Sequence, residues 1–227
     1  MRDRLLLTVH GVSSDSRRLA ELAGRVADST GHVPRAVNFG EQRPLRTINK
    51  QLRFLIFKMV SLDLRLARAS SQHATGEAPV IDVIAHSFGT LAVYHALVDG
   101  GAAIGKLVLL GSIMDQRVEW DSLVDAGRVE CPPLNIVRPF DGVVRHSRWV
   151  TGDVSGVRGF SPNGTCRPID HFEDGGHNDY ENDADLIARF LTGGLTRSQA
   201  IKEGDFSRAL GRRRRAWLAL TRCLRFR

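Results

Sequence analysis

Residues 81–93 join an apolar strand to a helix through a tight turn that reads Ala-His-Ser-Phe-Gly at positions 85–89. This pattern fits the G-x-S-x-G nucleophile elbow, a strand–turn–helix connection that exposes a serine at the top of a sheet. Ala85 replaces the first glycine and Gly89 keeps the second, and small residues at both positions let the strand and the helix pass closely. The elbow predicts Ser87 as a nucleophile, whereas the alternative is an ordinary strand-to-helix turn.

Two further stretches place an acid and a histidine after later apolar segments. Asp141 follows an apolar run at 134–137, and His177 follows two glycines shortly before a predicted helix at 183–191. A serine hydroxyl is a poor nucleophile at neutral pH and needs a base, which an acid in turn holds in place. We therefore predict a catalytic triad of Ser87, Asp141 and His177.

The start of the chain supplies donors for an oxyanion hole. An apolar strand at 5–9 ends in His-Gly, which leaves free backbone N–H groups at its carboxyl end. One of these groups, together with the amide of the residue after the nucleophile, can bind an oxyanion. We assign the two donors to Val12 and Phe88, with Ser13 as a further donor. We expect the substrate to contact the residues that flank these donors, namely His10, Gly11, Ser13 and His86.

The order serine, acid, histidine along the chain is that of the α/β-hydrolases, and neither chymotrypsin-like nor subtilisin-like enzymes share it. With its elbow and its His-Gly turn, the chain resembles the α/β-hydrolase superfamily, in particular small bacterial serine esterases and lipase-like proteins. The resemblance covers most of residues 5–191 and departs from the motif at Ala85. It implies an α/β fold with a mostly parallel sheet, helices on both faces and an eight-stranded pattern shortened at the N-terminus.

The same resemblance implies an activity. It points to a serine hydrolase that cleaves a carboxylic ester through an acyl-enzyme, with no metal and no organic cofactor, on a small-molecule or lipid ester. His177 would act as the general base, and Asp141 would orient its ring. The alternatives are a lipase-like or thioester-directed acyl hydrolase and, outside enzymes, a catalytically inactive hydrolase-like scaffold that binds a partner.

Other side chains compete for the roles of base and acid. His171 lies inside the predicted last strand, which favours a structural role, and His146 lies on a predicted helix behind the acid. Asp115 follows an earlier strand, where some hydrolases place the acid, so it is an alternative to Asp141. The acids and histidines between His171 and Asp179 are metal-ligand types, but the sequence has no H-E-x-x-H pattern to support a metal centre.

Strand-like and helix-like segments alternate along the chain, which is typical of a parallel sheet. Further strands are predicted at 33–39, 106–111 and 165–172, and the Gly, Ser and Pro residues at 151–164 predict a long loop. A helix predicted at 47–68 is apolar around most of its circumference. This composition favours a buried packing helix, with a lid over the serine as the alternative.

The net charge of +7 is confined to the end of the chain. Seven arginines and no acid lie at 212–227, so residues 1–211 are neutral overall and have no basic bias that would favour nucleic acid.

No stretch approaches the ~20 apolar residues of a membrane span. The first strand begins almost at once, and three cysteines are scattered along the chain. These features predict a cytoplasmic protein with free thiols, in part peripheral to a membrane.

We divide the chain into an α/β-hydrolase domain at 1–200 and a basic amphipathic C-terminal tail at 201–227. On a helix Trp217, Leu220 and Leu224 would share one face, with arginines before and around them. Such a segment is typical of contact with an anionic membrane surface or an acidic partner. Docking of this face on the hydrolase body is the equal alternative, and nucleic acid ranks below both.

Overall fold

The computed structural model of the chain describes residues 4–11, 16–37, 39, 49–151, 153–161 and 164–195. The strands are β1 (Arg4–Val9), β2 (Val33–Val37), β3 (Val80–His86), β4 (Leu107–Leu110), β5 (Leu134–Val137) and β6 (Ile169–Phe172). The helices are α1 (Ser16–Thr30), α2 (Lys50–Thr75), α3 (Phe88–Val98), α4 (Asp121–Asp125), α5 (Gly142–Thr151), α6 (Ser155–Arg158) and α7 (Ala184–Leu191). The predicted oxyanion donors Val12 and Ser13 and the tail at 201–227 lie outside the described residues.

The six strands form one sheet in the order β2-β1-β3-β4-β5-β6, and every neighbouring pair is parallel. The predicted parallel sheet is therefore confirmed. Pro34 lies in β2, at an edge of this sheet, where a residue without a backbone N–H is tolerated.

Successive strand residues point to opposite faces of the sheet, and both faces are covered by helices. Leu6 and Ile84 belong to the core that α1 and α7 complete on one face. Leu7 and Val83 belong to the core that α2 and α3 complete on the other. Burial on both faces explains why the inner strands β1 and β4 read as continuous apolar runs rather than alternating ones, whereas the edge strand β2 is mostly exposed.

Helix α2 is longer than predicted and less buried. It begins after Asn49, whose side chain accepts hydrogen bonds from two backbone N–H groups of the first turn, and it ends at Gly76 with φ of 76°. Its inner side is buried at Ile56 and Val60, whereas large apolar side chains on its outer side are exposed. The predicted burial of most of its circumference is wrong, because the sheet and α3 contact only one side of the helix.

Two other boundaries also differ from the prediction. The predicted loop at 151–164 contains the short helix α6, and β6 begins at Ile169 rather than at residue 165. None of the helices in the described part of the chain is both long and apolar enough to cross a membrane.

Asp82, near the start of β3, is a fully buried carboxylate held by three donors. Its Oδ2 accepts hydrogen bonds from His32 Nε2 at 2.7 Å and Arg4 Nη2 at 2.9 Å, and its Oδ1 accepts one from the Lys106 backbone N–H at 2.6 Å. Burial alone would raise the pKa of Asp82, but these hydrogen bonds outweigh burial and lower the pKa below its usual range.

Asp82→Asn should therefore lower the free energy of unfolding near neutral pH by about 3 kcal/mol, because Arg4 and His32 lose their charged partner. An acid with a lowered pKa in the folded state stabilises the protein above its unfolded pKa, about 4, and loses this effect as the pH falls through the folded value. The difference between the variant and the wild type should thus shrink below about pH 4. Urea unfolding at several pH values measures it. Asp28→Asn, at an exposed position on α1, is the control and should change stability by less than about 0.5 kcal/mol.

Candidate active site

Ser87 occupies a strained turn between β3 and α3. Its backbone has φ of 53° and ψ of −123°, and it is the one non-glycine residue with a positive φ in the described part of the chain. The Ser87 N–H donates to the carbonyl of Leu110 at 2.9 Å, which fixes the turn against β4. Strain of this kind persists where the surrounding structure enforces it, and it is concentrated at functional sites.

Two glycines make room for this turn. A Cβ at Gly89 would lie 2.3 Å from the carbonyl oxygen of Val9, so the first turn of α3 passes β1 at a distance that only glycine allows. A Cβ at Gly11 would lie 2.6 Å from the Ser87 Cβ. The predicted His-Gly turn after β1 therefore lies directly against the serine.

Asp141 and His177 meet although 36 residues separate them in the chain. Asp141 lies at the start of α5, beyond the end of β5, and is fully buried. Its Oδ2 lies 2.7 Å from His177 Nδ1, and its Oδ1 accepts a hydrogen bond from the Val144 N–H at 3.0 Å. His177 lies in the loop between β6 and α7, and its side chain keeps 11% of its surface exposed. A carboxylate at this distance selects the tautomer with hydrogen on Nδ1 and leaves Nε2 free to accept a proton.

His86 connects the histidine loop to the elbow. Its Nε2 donates to the carbonyl oxygen of His177 at 3.0 Å, and the two rings lie 4.6 Å apart. Burial and the neighbouring His177 lower the pKa of His86 to about 3, so its ring is neutral at physiological pH. His86 is fully buried. His86 thus supports the loop of His177, and its contact with a substrate stays a prediction.

Gly111, directly after β4, is a further residue of the site, and no sequence motif above includes it. Its φ is 52°, and a Cβ there would lie 3.1 Å from His177 Nδ1 and 3.4 Å from Asp141 Oδ2. A side chain at this position would press on the bond between the acid and the histidine. The glycine directly after an apolar strand was the available signal.

Arg138 ties the acid-bearing turn to the histidine loop, and no sequence motif above includes it either. Its Nη2 donates to the carbonyl of Asp179 and, at 2.7 Å, to Asp183 Oδ2, while its own carbonyl accepts from the Asp141 N–H at 3.0 Å. The side chain is almost fully buried, and burial raises the pKa of Asp183 although the charge of Arg138 opposes this shift. No spacing in the sequence indicates a pair between positions 138 and 183.

The competing candidates lie in other surroundings. Asp115 forms an ion pair with Arg117 at 2.8 Å rather than with a histidine, and the Arg117 guanidinium holds the pKa of this carboxyl below its usual range. His171 is buried on β6, where its Nε2 lies 2.9 Å from Glu173 Oε1, and His146 lies on α5. The structure thus brings Asp141, and not Asp115, to His177.

The structure describes only some of the residues that we predict to face the substrate near the elbow. Phe88 is the first residue of α3, where backbone N–H groups have no acceptor within the helix, so its amide is available to an oxyanion. His10 lies beside Gly11, with its Nδ1 2.7 Å from the Gly11 carbonyl oxygen and its ring stacked on Phe39 at 4.1 Å. Val12 and Ser13 lie outside the described residues.

Metal ligands do not cluster in the part of the chain that the structure describes. No group of three or more His, Cys, Asp or Glu side chains there has the geometry to hold an ion.

Several solved structures share the fold of this chain. Dienelactone hydrolase from Anabaena variabilis gives a TM-score of 0.54 at 15% identity, over 86% of this chain and 88% of that chain. A carboxylesterase from Mesorhizobium loti gives 0.52 at 15% identity, over 85% and 90%. A thermostable carboxyl esterase from Bacillus coagulans gives 0.50 at 13% identity, over 86% and 92%. At these identities the likeness shows the fold, and the chain has the α/β-hydrolase fold.

No family model and no curated protein sequence matches the chain.

Proposed function

We propose that the protein is a serine hydrolase that cleaves a carboxylic ester through an acyl-enzyme. The observation that carries the proposal is the strained, glycine-framed turn of Ser87 together with the hydrogen-bonded pair of Asp141 and His177, whose loop is bonded to His86, the residue before the serine. A backbone φ of 53° costs free energy at a non-glycine residue. A reactive hydroxyl at the end of the strand would account for a strained turn at this position. The esterase and hydrolase neighbours support the same reaction class.

In the first half-reaction His177 Nε2 takes the proton from Ser87 Oγ as the oxygen attacks the ester carbonyl carbon. The developing oxyanion accepts hydrogen bonds from the Phe88 amide and, by the sequence prediction, from the Val12 amide. The C–O bond to the alcohol then breaks, and the imidazolium returns its proton to the leaving oxygen. The product is an acyl-enzyme on Ser87.

In the second half-reaction a water molecule replaces the alcohol. His177 removes its proton, the hydroxide attacks the acyl carbon, and Ser87 leaves with the proton as the free hydroxyl. Asp141 accepts the hydrogen bond from His177 Nδ1 through its Oδ2 and stabilises the imidazolium.

Two other functions fit the same elements. A lipase-like or thioester-directed acyl hydrolase would use the same triad on a different leaving group. An inactive hydrolase-like scaffold would keep the fold and bind a partner without turnover.

Labelling with a fluorophosphonate probe, followed by peptide mapping, tests the proposal against the scaffold. We expect a single adduct on Ser87, because only a serine activated by a base reacts quickly with such a probe. A protein that stays unlabelled, or one labelled elsewhere, would contradict the mechanism.

Arg138→Lys should lower kcat about tenfold or more and leave KM nearly unchanged. The lysine side chain is shorter and lacks the rigid guanidinium plane, so its ammonium should not reach the Asp179 carbonyl and Asp183 from the same position, and the His177 loop loses its alignment. Steady-state kinetics on an activated acetate ester separates the two constants. Arg128→Lys is the matched control, because Arg128 also donates to a backbone carbonyl, that of Gly101, but lies away from the triad. Equal effects of both substitutions would reduce Arg138 to a general stabilising residue.

We further propose that the tail at 201–227 forms a separate basic segment that contacts an anionic surface. Its arginines support this role, since each basic residue near an anionic bilayer contributes about 1 kcal/mol. A chain that ends at Leu210 should therefore keep its esterase activity and lose the tail's share of the salt-sensitive binding to anionic vesicles. If the shortened chain unfolds, the tail is instead part of the folded body.

A further inference from the structure

The outer face of α2 carries an apolar stripe that is exposed in the described part of the chain. Leu55, Met59, Leu62 and Leu66 follow each other at helical spacing, so they line one side of the helix, and each is between 45% and 57% exposed. The opposite side packs into the core. Five of the nine large apolar side chains that are exposed among the described residues lie on this one helix, the fifth being Phe54.

The charges of α2 are almost all positive. The helix contains a single acid, Asp63, and five basic residues, which are Lys50, Arg53, Lys58, Arg65 and Arg68. Lys58 and Arg65 fall along one border of the apolar stripe, and Lys58 Nζ lies 5.2 Å from the centre of the Phe54 ring. An apolar stripe bordered by long basic side chains matches the chemistry of an anionic lipid surface, where the apolar groups enter the acyl region and the cations meet the head groups.

The inner side of the same helix reaches the elbow. Phe57 stacks on Phe88 with the ring centres 5.9 Å apart, and on His95 at 4.2 Å. Phe88 directly follows Ser87. Phe57 lies between the stripe residues Leu55 and Met59 in the chain but on another side of the helix, so the width of α2 separates the stripe from a residue that contacts the elbow.

We propose that the outer face of α2 docks on an anionic lipid surface and holds the Ser87 site beside the membrane. Charge complementarity favours an anionic lipid surface over two other partners for this face, which are the C-terminal tail and a second copy of the chain. The C-terminal tail carries eight arginines, and a second copy would present the same basic α2, so both would bring like charges together. The functional consequence, access of membrane-dissolved esters to the site, rests on the proposed hydrolase function.

The test is binding of the full chain to vesicles of phosphatidylglycerol with phosphatidylcholine, measured by co-sedimentation at low and at high salt. We expect the wild type to bind these vesicles, to bind more weakly as salt rises, and to bind phosphatidylcholine vesicles poorly. The double substitution Met59→Gln with Leu62→Gln should weaken binding about tenfold or more, because it removes apolar surface that enters the bilayer. Lys58→Gln with Arg65→Gln should weaken binding and reduce its salt dependence.

Matched controls are available elsewhere on the surface. Val33 on β2 and Val98 at the end of α3 are 58% and 48% exposed, so Val33→Gln with Val98→Gln removes comparable exposed apolar groups outside α2. This control should bind vesicles as the wild type does. Since all these side chains are exposed, the variants should unfold at the wild-type temperature, and their hydrolysis of a water-soluble acetate ester should be unchanged.

Three results would overturn the proposal. In the first, the wild type does not bind anionic vesicles at low salt. In the second, the Met59→Gln with Leu62→Gln variant binds them as tightly as the wild type. In the third, the wild type is a dimer and this variant is a monomer. Failure of the proposed hydrolase function can be distinguished from failure of the docking proposal. Ser87→Ala should bind vesicles normally, so a protein that binds through α2 but resists the fluorophosphonate probe would retain the docking surface and lose the proposed reaction.

Discussion

Ser87→Ala should abolish turnover, with kcat lower by about five to six orders of magnitude, and should abolish labelling by a fluorophosphonate probe. The hydroxyl is the proposed nucleophile, and the site offers no second side chain in the elbow to replace it. Alanine keeps the same turn, so the melting temperature should stay close to that of the wild type. Hydrolysis of an activated ester at normal rates would contradict the serine mechanism.

A comparison of two histidines completes this experiment. His177→Ala should reduce kcat nearly as much as Ser87→Ala, because a nucleophile and its base act as a unit. His171→Ala removes a buried ring on β6 that contacts Glu173, so it should lower stability with a small effect on kcat. If His171→Ala proved to be the inactive variant, the proposed base would be wrong.

Asp141→Asn should lower kcat by about four orders of magnitude with a small change in KM. An amide at this position can donate to His177 Nδ1 and stabilise the tautomer that carries its hydrogen on Nε2. That tautomer cannot accept the proton of Ser87 Oγ. Steady-state kinetics on an activated ester provides the measurement.

Asp115→Asn is the matched control for the acid, since it also follows a strand of the sheet. It removes one partner of the exposed ion pair with Arg117, so kcat should change less than about twofold. The reverse ranking of the two asparagine variants would place the acid after β4 instead of β5.

The parts of the site that could be predicted are those with local signals. The elbow combines an apolar strand, small residues around Ser87 and the helix that follows, and all of these lie within thirteen consecutive residues at 81–93. Asp141 and His177 were identified because each follows a strand or glycine-rich loop that parallel topology brings to one edge. Their mutual distance of 2.7 Å follows from the fold and from no pattern in the sequence.

The parts that were missed depend on contacts between distant residues. Arg138 is paired with Asp183, 45 positions away, and buried arginines have no periodicity that would mark them. The partial exposure of α2 was missed for a related reason. Apolar composition around a helix indicates burial only if other elements cover every side, and here α3 and the sheet cover one.

The backbone of Ser87 implies a trade-off between the stability of the fold and the proposed activity at this one position. A non-glycine residue held at φ of 53° and ψ of −123° costs on the order of 1–3 kcal/mol, a sizeable part of the roughly 5–15 kcal/mol by which domains are stable. Glycine would relieve that cost and remove the hydroxyl, so Ser87→Gly should raise the free energy of unfolding and abolish the proposed activity. Selection for heat resistance alone would therefore favour loss of the serine, and thermostable forms of this chain must gain their stability elsewhere.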